Sequence, residues 1–386
     1  MKRILHLGYD DKFYPGVIYN YKGIEGISNR FLAYKTGRNA PLTYLAESED
    51  LCIIHKKNDL IAEICKGDYD VIMVHSLNYY YWDVIRKIPR DKIFIWVSYG
   101  YDIYSPGPFG VDYKLIQIDS LLPITKKVYN KTKPFIASIK YNIAHCILSI
   151  RWRRYGCKIV KRVDYFQPVF HLEYEMLRKL SIFNAKEYYP PMYNPRWGRF
   201  SDKPKKGDHG AIQLCNSAGE YGNHLDAWEA IKNHVPSEQE IIMPLSYGVK
   251  SYANYVKDTI KKEHHITTVL EDFVPREEYF EIINRSTYFV HGAIRQHAMA
   301  NIYNAIATGR KVFLFKDSVI YKYLTDIGCI IFPIEEVDEN SFKTPLSLEE
   351  HNINVEALRT KILKRREMGK TVFNDIFHNE IDRSTF

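Results

Sequence analysis

The hydrophobic positions of this chain fall into short continuous runs, separated by stretches with the spacing of amphipathic helices. Runs such as DVIMVH and KIFIWV show no polar alternation, which is typical of parallel strands covered on both faces. In the first half, strands are predicted near residues 3–7, 51–55, 70–75, 92–97 and 163–167. Helices are predicted between and after them, near residues 57–65, 78–87, 112–120, 134–154 and 172–180.

The second half repeats this alternation more regularly. Its strands are predicted at residues 211–215, 240–244, 266–270, 287–291, 311–315 and 329–333. Before them, residues 188–210 contain four prolines and several basic residues with little apolar periodicity, which indicates a linker. The expected fold class is therefore α/β, with two Rossmann-like domains whose parallel sheets face an interdomain cleft.

The chain length agrees with two domains, since 386 residues exceed the ~100–200 of an ordinary domain. We predict an N-terminal domain at residues 1–189, a linker at 190–210 and a C-terminal domain at 211–346. The C-terminal helices, at residues 347–386, could pack back on the first domain. The opening MKRILHLGYDD predicts a first strand rather than a secretory signal. No stretch reaches the ~20 apolar residues of a membrane-spanning helix, and six scattered cysteines are typical of a reducing cytoplasm.

The net charge of +8 is concentrated in one segment, residues 120–163, which holds eleven Lys or Arg and no Asp or Glu. An anionic partner is expected there. Nucleic acid is disfavoured, because no nucleic-acid motif or basic–aromatic repeat accompanies the charge.

Candidate chemistry is expected in the loops that follow the strands, because ligands of open parallel sheets bind beyond the carboxyl ends. After the strand at 211–215, Asn216, Ser217 and Gly219 form a small loop that would let backbone N–H groups approach a phosphate. Tyr247 follows the next strand at the same edge. These four residues are our first candidates for binding a diphosphate.

The loop after the strand at 287–291 carries Arg295, Gln296 and His297 before a helix predicted from about His297 to Thr308. The helix would direct its positive end at the rim, and an arginine can contact two phosphate oxygens. In the alternative interpretation, Arg295 and Gln296 only solvate a loop while His297 caps the helix. The glycine-containing loop nearby favours the diphosphate site.

In the first half, the titratable groups best placed at the carboxyl edge are Asp102, Asp10 and His75. A transferase needs a base within hydrogen-bond reach of the hydroxyl that it activates. We predict that at least one of the three is that base. Asp68 and Asp70 precede their strand, so a turn is favoured there over a metal site, and no His or Cys cluster has zinc spacing.

Several ordered pieces resemble the GT-B glycosyltransferases and, more narrowly, the bacterial transferases of TDP-4-acetamido-4,6-dideoxygalactose (TDP-Fuc4NAc) to lipid-linked saccharides. The matching pieces are HLGYD, VHSLNYYYW, IWVSYGYDIY, CNSAGEYGNH, MPLSYG, LEDF and IRQ, from residue 6 to about 310. The resemblance implies a donor site in the second domain and an acceptor side with the three candidate bases. The donor-binding candidates are Asn216, Ser217, Gly219, Tyr247, Glu271, Phe273, Arg295, Gln296, His297 and Asn301.

The chain departs from many retaining GT-B enzymes, which carry two glutamates eight positions apart on the last donor helix. The corresponding residues here are Gln296 and Asn304, both amides, so retention or inversion is left open. No cofactor or metal is predicted, and the substrate expected is a TDP- or UDP-sugar.

The resemblance suggests that the anionic partner of the basic segment is a membrane surface, because a lipid-linked acceptor lies in an anionic leaflet. Residues 134–155 mix isoleucines with cations, as an interfacial helix does, and Arg151, Trp152, Arg153 and Arg154 are predicted to face the membrane. A core helix with a solvated basic face is the alternative. The expected protein is thus a cytoplasmic glycosyltransferase on the inner face of the membrane that builds a surface polysaccharide. A nucleotide-sugar 2-epimerase and a non-catalytic nucleotide-sugar-binding protein are the alternatives.

Overall fold

A computed structural model describes residues 1–8, 14–35, 48–66, 68–79, 81–104, 115–116, 118–132, 143, 146–189, 200–205 and 210–377. The chain divides into two compact units. The first comprises Met1–Gln117, Ile139–Asn194 and Leu363–Phe386, and the second comprises Ile118–Ser138 and Pro195–Ile362. In this division residues 118–138 belong to the second unit, and the end of the last helix belongs to the first.

The first unit contains a parallel sheet of seven strands in the order β3-β2-β1-β4-β5-β6-β7. The strands are β1 Lys2–Gly8, β2 Ile27–Tyr34, β3 Leu51–Ile54, β4 Val71–His75, β5 Ile93–Val97, β6 Tyr165–Gln167 and β7 Lys186–Glu187. The helices before and between them are α1 Tyr14–Tyr21, α2 Lys57–Cys65, α3 Trp82–Ile85, α4 Tyr101–Tyr104, a helix over 146–162 whose last part is α6 Cys157–Arg162, and α7 His171–Arg178. The short helix α5 Pro123–Thr132 lies in the second unit.

The second unit contains a parallel sheet of six strands in the order β10-β9-β8-β11-β12-β13. These are β8 Ala211–Leu214, β9 Ile241–Pro244, β10 Thr267–Leu270, β11 Ser286–His291, β12 Lys311–Leu314 and β13 Phe332–Pro333. Its helices are α8 His224–Ile231, α9 Lys250–Glu263, α10 Arg276–Ile283, α11 Met299–Ala307, α12 Val319–Asp326 and the start of α13 Leu348–Phe377. Two parallel sheets with intervening helices confirm the predicted α/β fold class.

The order of strands reverses at one place in each sheet, between β1 and β4 and between β8 and β11. Such a switch point leaves a crevice at the carboxyl ends of the two strands, because their connections run to opposite sides. β4 and β11 are fully buried along their length, as the absence of polar alternation predicted.

Several elements depart from the sequence prediction, which included none of β2, β7, α1, α4 and α5. No strand was predicted at β2, although it pairs with β1 over seven residues. The helix predicted at 112–120 is wrong where the structure describes it, since residues 115–116 and 118–120 are irregular. The chain instead enters α5, whose first N–H groups, from Ile124 and Thr125, donate to the carboxylate of Asp226 at 2.9 and 2.8 Å. This cap comes from a residue about a hundred positions away.

The last helix, α13, contributes to the core of the first unit through its final turns. Phe373 and Ile376 are buried in the same cluster as Ile4 and Val71. Arg365 donates to the carbonyl of Pro168 at 2.8 Å within that unit. The C-terminal residues 378–386 lie outside the described part.

Candidate functional site

Two loops of the second unit are hydrogen-bonded to each other at the carboxyl edge of its sheet. One follows β8 and contains Asn216, and the other follows β9 and contains Tyr247. The N–H of Ala218 donates to the Tyr247 carbonyl at 2.8 Å, and the Asn216 amide donates to the Tyr247 hydroxyl at 3.1 Å. Gly248 permits this approach, because its φ is +131° and a Cβ there would overlap the carbonyl of Ala218. The predicted residues Asn216 and Tyr247 therefore lie together.

The loop after β11 packs onto the turn that follows β8. The side-chain amide of Asn223 donates to the carbonyls of Gly292 at 2.9 Å and Ser120 at 3.0 Å. A Cβ at Gly292 would lie 2.7 Å from the carbonyl oxygen of Gly222, so only a glycine allows this packing. Asn223 itself has φ +48°, which asparagine tolerates better than most residues. The loops after β9, β8 and β11, which are adjacent strands of the sheet, are thus hydrogen-bonded and packed together.

Arg295 and His297 border this turn. Arg295 is 5% exposed, and its guanidinium carbon lies 4.1 Å from the centroid of the Tyr221 ring, a cation–π contact. A Cβ built at Gly219 would lie 3.8 Å from Nε2 of His297, so that ring nitrogen is close to the glycine turn. The structure therefore places a guanidinium, an imidazole and a glycine turn side by side, the groups that the sequence predicted for a diphosphate.

Helix α11 begins at Met299 rather than at the predicted His297. Its N-cap is Ala298, which has φ +55° and supplies no side-chain cap. His297 is therefore not the helix cap of the alternative interpretation. Its Nδ1 is instead hydrogen-bonded to another histidine. The first N–H groups of α11 have no carbonyl partner inside the helix, as at any helix start, although that of Asn301 donates to the Ala298 carbonyl at 2.9 Å. The helix begins two residues after His297.

The second histidine is His291, the last residue of β11. Its Nε2 lies 3.2 Å from Nδ1 of His297, and the two rings are nearly parallel, at 9°, with centroids 5.3 Å apart. Burial lowers the pKa of His291 to about 3, and the nearby His224 adds to that shift. Burial, followed by the neighbouring His291 and Arg295, lowers the pKa of His297 well below its usual value. Both imidazoles are therefore neutral near pH 7.

Several solved structures have a similar fold. Sucrose-phosphate synthase from Thermosynechococcus elongatus matches with a TM-score of 0.61 at 10% identity, over 98% of this chain and 100% of that one. A UDP-forming α,α-trehalose-phosphate synthase from Burkholderia vietnamiensis matches with a TM-score of 0.58 at 9% identity, over 98% and 100%. Anabaena HepE, solved with UDP and glucose, matches with a TM-score of 0.58 at 9% identity, over 97% and 99%.

This chain has the GT-B fold. At about 10% identity the likeness concerns the fold alone. No protein-family model matches the sequence, and no curated protein is significantly similar to it.

The remaining donor candidates have varied surroundings in this GT-B fold. Glu271 is exposed and forms an ion pair with Lys257 at 2.9 Å, while Phe273 on the same loop is 75% exposed. Asn301 accepts a hydrogen bond from Tyr279 at 3.0 Å. Ser217 is buried, and its hydroxyl accepts from the N–H of Gly219 at 3.4 Å, within the turn itself. Gln296 is half-buried.

Asn304, one of the two amides that replace the acidic pair, has an internal role. Its Oδ1 accepts from Nη2 of Arg310 at 2.6 Å. Arg310 is buried and also donates to Gln213 at 2.8 Å, and within the described ranges no carboxylate forms an ion pair with it. Burial lowers the pKa of Arg310 to about 10. Asn304 is therefore part of a buried hydrogen-bond network.

Two of the three predicted bases are buried in the first unit. Both oxygens of Asp102 are engaged, by the N–H groups of Leu77 (2.9 Å) and Tyr99 (3.0 Å), the indole of Trp96 (2.7 Å) and the hydroxyl of Ser98 (3.0 Å). Burial raises the pKa of Asp102, and these hydrogen bonds oppose that shift. Four donors fill a carboxylate's lone-pair sites, so this geometry favours a structural role.

His75 is also buried, with its Nε2 3.1 Å from Nδ1 of His6. Burial, followed by the neighbouring His6, lowers the pKa of His75 well below its usual value, which weakens it as a base. Asp10 lies outside the described residues, so its role stays a prediction from the sequence.

The predicted membrane-facing residues divide into two pairs. Arg151 donates to the carbonyl of Tyr79 at 3.2 Å, and Trp152 packs against Trp82 with ring centroids 5.4 Å apart. Both side chains are half-buried, and residues 152–156 form a π-helical turn. Arg153 and Arg154 are exposed.

Exposed isoleucines precede this turn. Ile143, Ile147 and Ile150 are 58%, 53% and 65% exposed, with the spacing of one helix face. The basic segment is divided between the two units, since α5 belongs to the second unit and buries Thr125 and Val128. Within the part of the chain that the structure describes, no helix is both long and apolar enough to cross a bilayer.

Two residues of the site were missed in the sequence. Tyr221 forms the cation–π contact with Arg295, and His291 is hydrogen-bonded to His297. The signal for His291 was present, since it ends a buried strand with a titratable side chain. For Tyr221 the sequence gives no signal. Across the described ranges, no three His, Cys, Asp or Glu side chains are grouped as a metal site requires.

Proposed function

We propose that this protein is a glycosyltransferase that moves a deoxyamino sugar or similar hexose from a TDP- or UDP-sugar to a lipid-linked saccharide. The observation that carries the donor half of the proposal is the joining of three edge loops around Arg295 and His297. The GT-B fold supports it, since the similar proteins include one solved with UDP and glucose. The lipid-linked acceptor is supported by the sequence pieces that resemble the TDP-Fuc4NAc transferases.

In this proposal Arg295 binds the diphosphate and stabilises the negative charge that develops on it as the glycosidic bond breaks. The face of the Tyr221 ring supports the Arg295 guanidinium through the cation–π contact. Backbone N–H groups at the start of α11 add neutral donors. The chain needs no metal for this charge stabilisation.

The test compares Arg295→Ala, which lies after β11, with a control arginine that lies before the same strand. Arg285 precedes β11, at the opposite end, and is exposed in an ion pair with Glu240 at 3.0 Å. Arg295→Ala should lower donor turnover by about 100-fold, the usual loss for one charge-stabilising donor. Arg285→Ala should leave turnover unchanged, and wild-type turnover should persist in EDTA.

The assay is nucleoside diphosphate release with TDP- and UDP-sugars and a polyprenyl-diphosphate-linked saccharide, accompanied by thermal shifts with TDP, UDP and GDP. Full turnover of Arg295→Ala would refute the site. Conversion of the donor without any acceptor would favour an epimerase instead. Binding of a diphosphate with no turnover would favour a non-catalytic sugar-nucleotide-binding protein.

A cytoplasmic location on the inner face of the membrane is the second part of the proposal. The exposed row Ile143, Ile147 and Ile150 supports it, with the exposed cations Arg153 and Arg154 a turn away. Aliphatic side chains flanked by cations are typical of a helix in the interface of an anionic leaflet.

A further inference from the structure

His291 is a buried titratable residue to which the proposed function assigns no task. It is fully buried at the end of β11, next to the switch point of the second sheet. Its Nε2 is hydrogen-bonded to Nδ1 of His297, and its Nδ1 has no hydrogen-bond partner among the described residues. Its ring also lies parallel to that of Phe289, at 12°.

Because both rings are neutral, one proton lies between them and the pair has two possible arrangements. In the first, His291 donates from Nε2 to a bare Nδ1 of His297, and the proton of His297 is then on Nε2. In the second, His297 donates from Nδ1, its Nε2 is a bare acceptor, and His291 holds a buried N–H on Nδ1 without an acceptor. Buried N–H groups without acceptors are costly and rare.

The position of Nε2 of His297 also favours the first arrangement when an anion is bound. This nitrogen lies close to Gly219, in the turn that Arg295 and Tyr221 border. A protonated Nε2 offers an anion in that turn a hydrogen bond, whereas a bare Nε2 would present a lone pair to it. A neutral N–H donor also avoids adding a second charge beside Arg295.

We propose that His291 is a positioning residue, which donates its Nε2 proton to His297 and so holds the Nε2–H of His297 toward the diphosphate of the sugar donor. This inference rests on the proposed function for the identity of the anion. The tautomer itself is a property of the free protein and can be tested separately. His291 contacts neither substrate nor reacting atoms, so it acts only through His297.

The experiment uses two variants of the full chain. His291→Gln keeps an amide N–H where Nε2 of the imidazole was, and His291→Phe keeps the ring shape without a donor. Nitrogen-15 spectroscopy of ring-labelled histidine reports which nitrogen of His297 carries the proton, with and without TDP or UDP. Donor turnover is measured on the same samples, and thermal unfolding checks that each variant folds.

We expect His297 to be protonated on Nε2 in the wild type and in His291→Gln. In His291→Phe its signals should shift toward a mixture of the two tautomers. Because one neutral hydrogen bond is lost, kcat/KM for the donor should fall up to about tenfold in His291→Phe, with most of it recovered in His291→Gln.

A proton on Nδ1 of His297 in the wild type, or an unchanged tautomer and unchanged kcat/KM in His291→Phe, would overturn the inference. If His291→Phe does not fold, the wild type and His291→Gln still decide the tautomer. A wild type with the expected tautomer that binds no nucleoside diphosphate would instead refute the proposed function and, with it, the assigned ligand.

Discussion

The buried carboxyl of Glu173 offers a test of the electrostatics inside the first unit. Glu173 lies in the first turn of α7 and has no exposed surface. Its Oε2 accepts from the N–H groups of Val169 and Phe170, both at 3.0 Å. Burial raises its pKa from 4.5 to about 7, against the effect of these hydrogen bonds, and the charge of Asp102 adds to the rise.

The sign of the pH effect follows from that direction. A carboxyl whose pKa is higher in the folded chain binds its proton more tightly there, so it stabilises the fold below about pH 4.5. That contribution is lost as the pH rises toward 7. From 4.5 to about 7, at about 1.36 kcal/mol per pH unit, the change amounts to about 3 kcal/mol.

The variant Glu173→Gln cannot ionise but keeps an oxygen to accept from the two N–H groups. The free energy of unfolding of both chains is measured in urea at several pH values between 4 and 8. The free energy of unfolding of the wild type minus that of Glu173→Gln should decrease by about 3 kcal/mol as the pH rises over this range. Buried histidines such as His6, whose pKa falls to about 4, are common to both chains and cancel in the difference.

The matched control is Glu175 on the same helix, which is exposed and pairs with Arg178 at 3.0 Å. Glu175→Gln should give a difference that changes little with pH, because an exposed ion pair contributes about 0–1 kcal/mol. Parallel pH curves for the wild type and Glu173→Gln would show that the carboxyl is solvated, and the reasoning from its burial would fail.

Two further substitutions test the turn and the exposed helix. Gly248→Ala should destabilise the protein by about 1–3 kcal/mol in thermal unfolding and weaken diphosphate binding, because a Cβ at φ +131° would push the Tyr247 loop away from Ala218. The control is Gly16→Ala, where a Cβ meets open space. Equal effects of the two substitutions would contradict this account. Replacing Ile147 and Ile150 together by Ser should lower binding to anionic vesicles at least tenfold in co-sedimentation, because two exposed apolar side chains are lost. The control Leu363→Ser changes another exposed apolar residue and should leave binding unchanged. Unchanged binding of the double variant would exclude this face as the membrane contact.

The sequence predicted the fold class well, because each sheet contains strands that are short runs of buried apolar residues, such as β4 and β9. β2 escaped for the opposite reason: Ser28, Asn29 and Arg30 interrupt its apolar residues, and these positions are only half-buried. Its place in the sheet is determined by pairing with β1 and β3, which no local pattern shows.

Because ligands of open parallel sheets bind beyond the carboxyl ends of the strands, the sequence predicted that Asn216, Tyr247, Arg295 and His297 lie close together. The structure shows them on loops that contact one another. The sequence could not distinguish an accessible group from a buried one. Asp102 follows a strand in the sequence as a catalytic residue would, yet its partners include Leu77, twenty-five positions away. Burial depends on such tertiary contacts, so sequence position alone does not separate a base from a structural carboxylate.

The two sheets show this distinction at equivalent places. His75 and His291 both end the strand that follows the switch point, and each is hydrogen-bonded to a second histidine. In the first unit the second histidine is His6, which is fully buried and bonded at 3.0 Å to Asn29, so the pair is enclosed by the sheet and its helices. In the second unit it is His297, half-buried beside a glycine turn. The same topology therefore produces a core contact in one unit, and in the other a pair with one ring nitrogen at the edge where a ligand would bind.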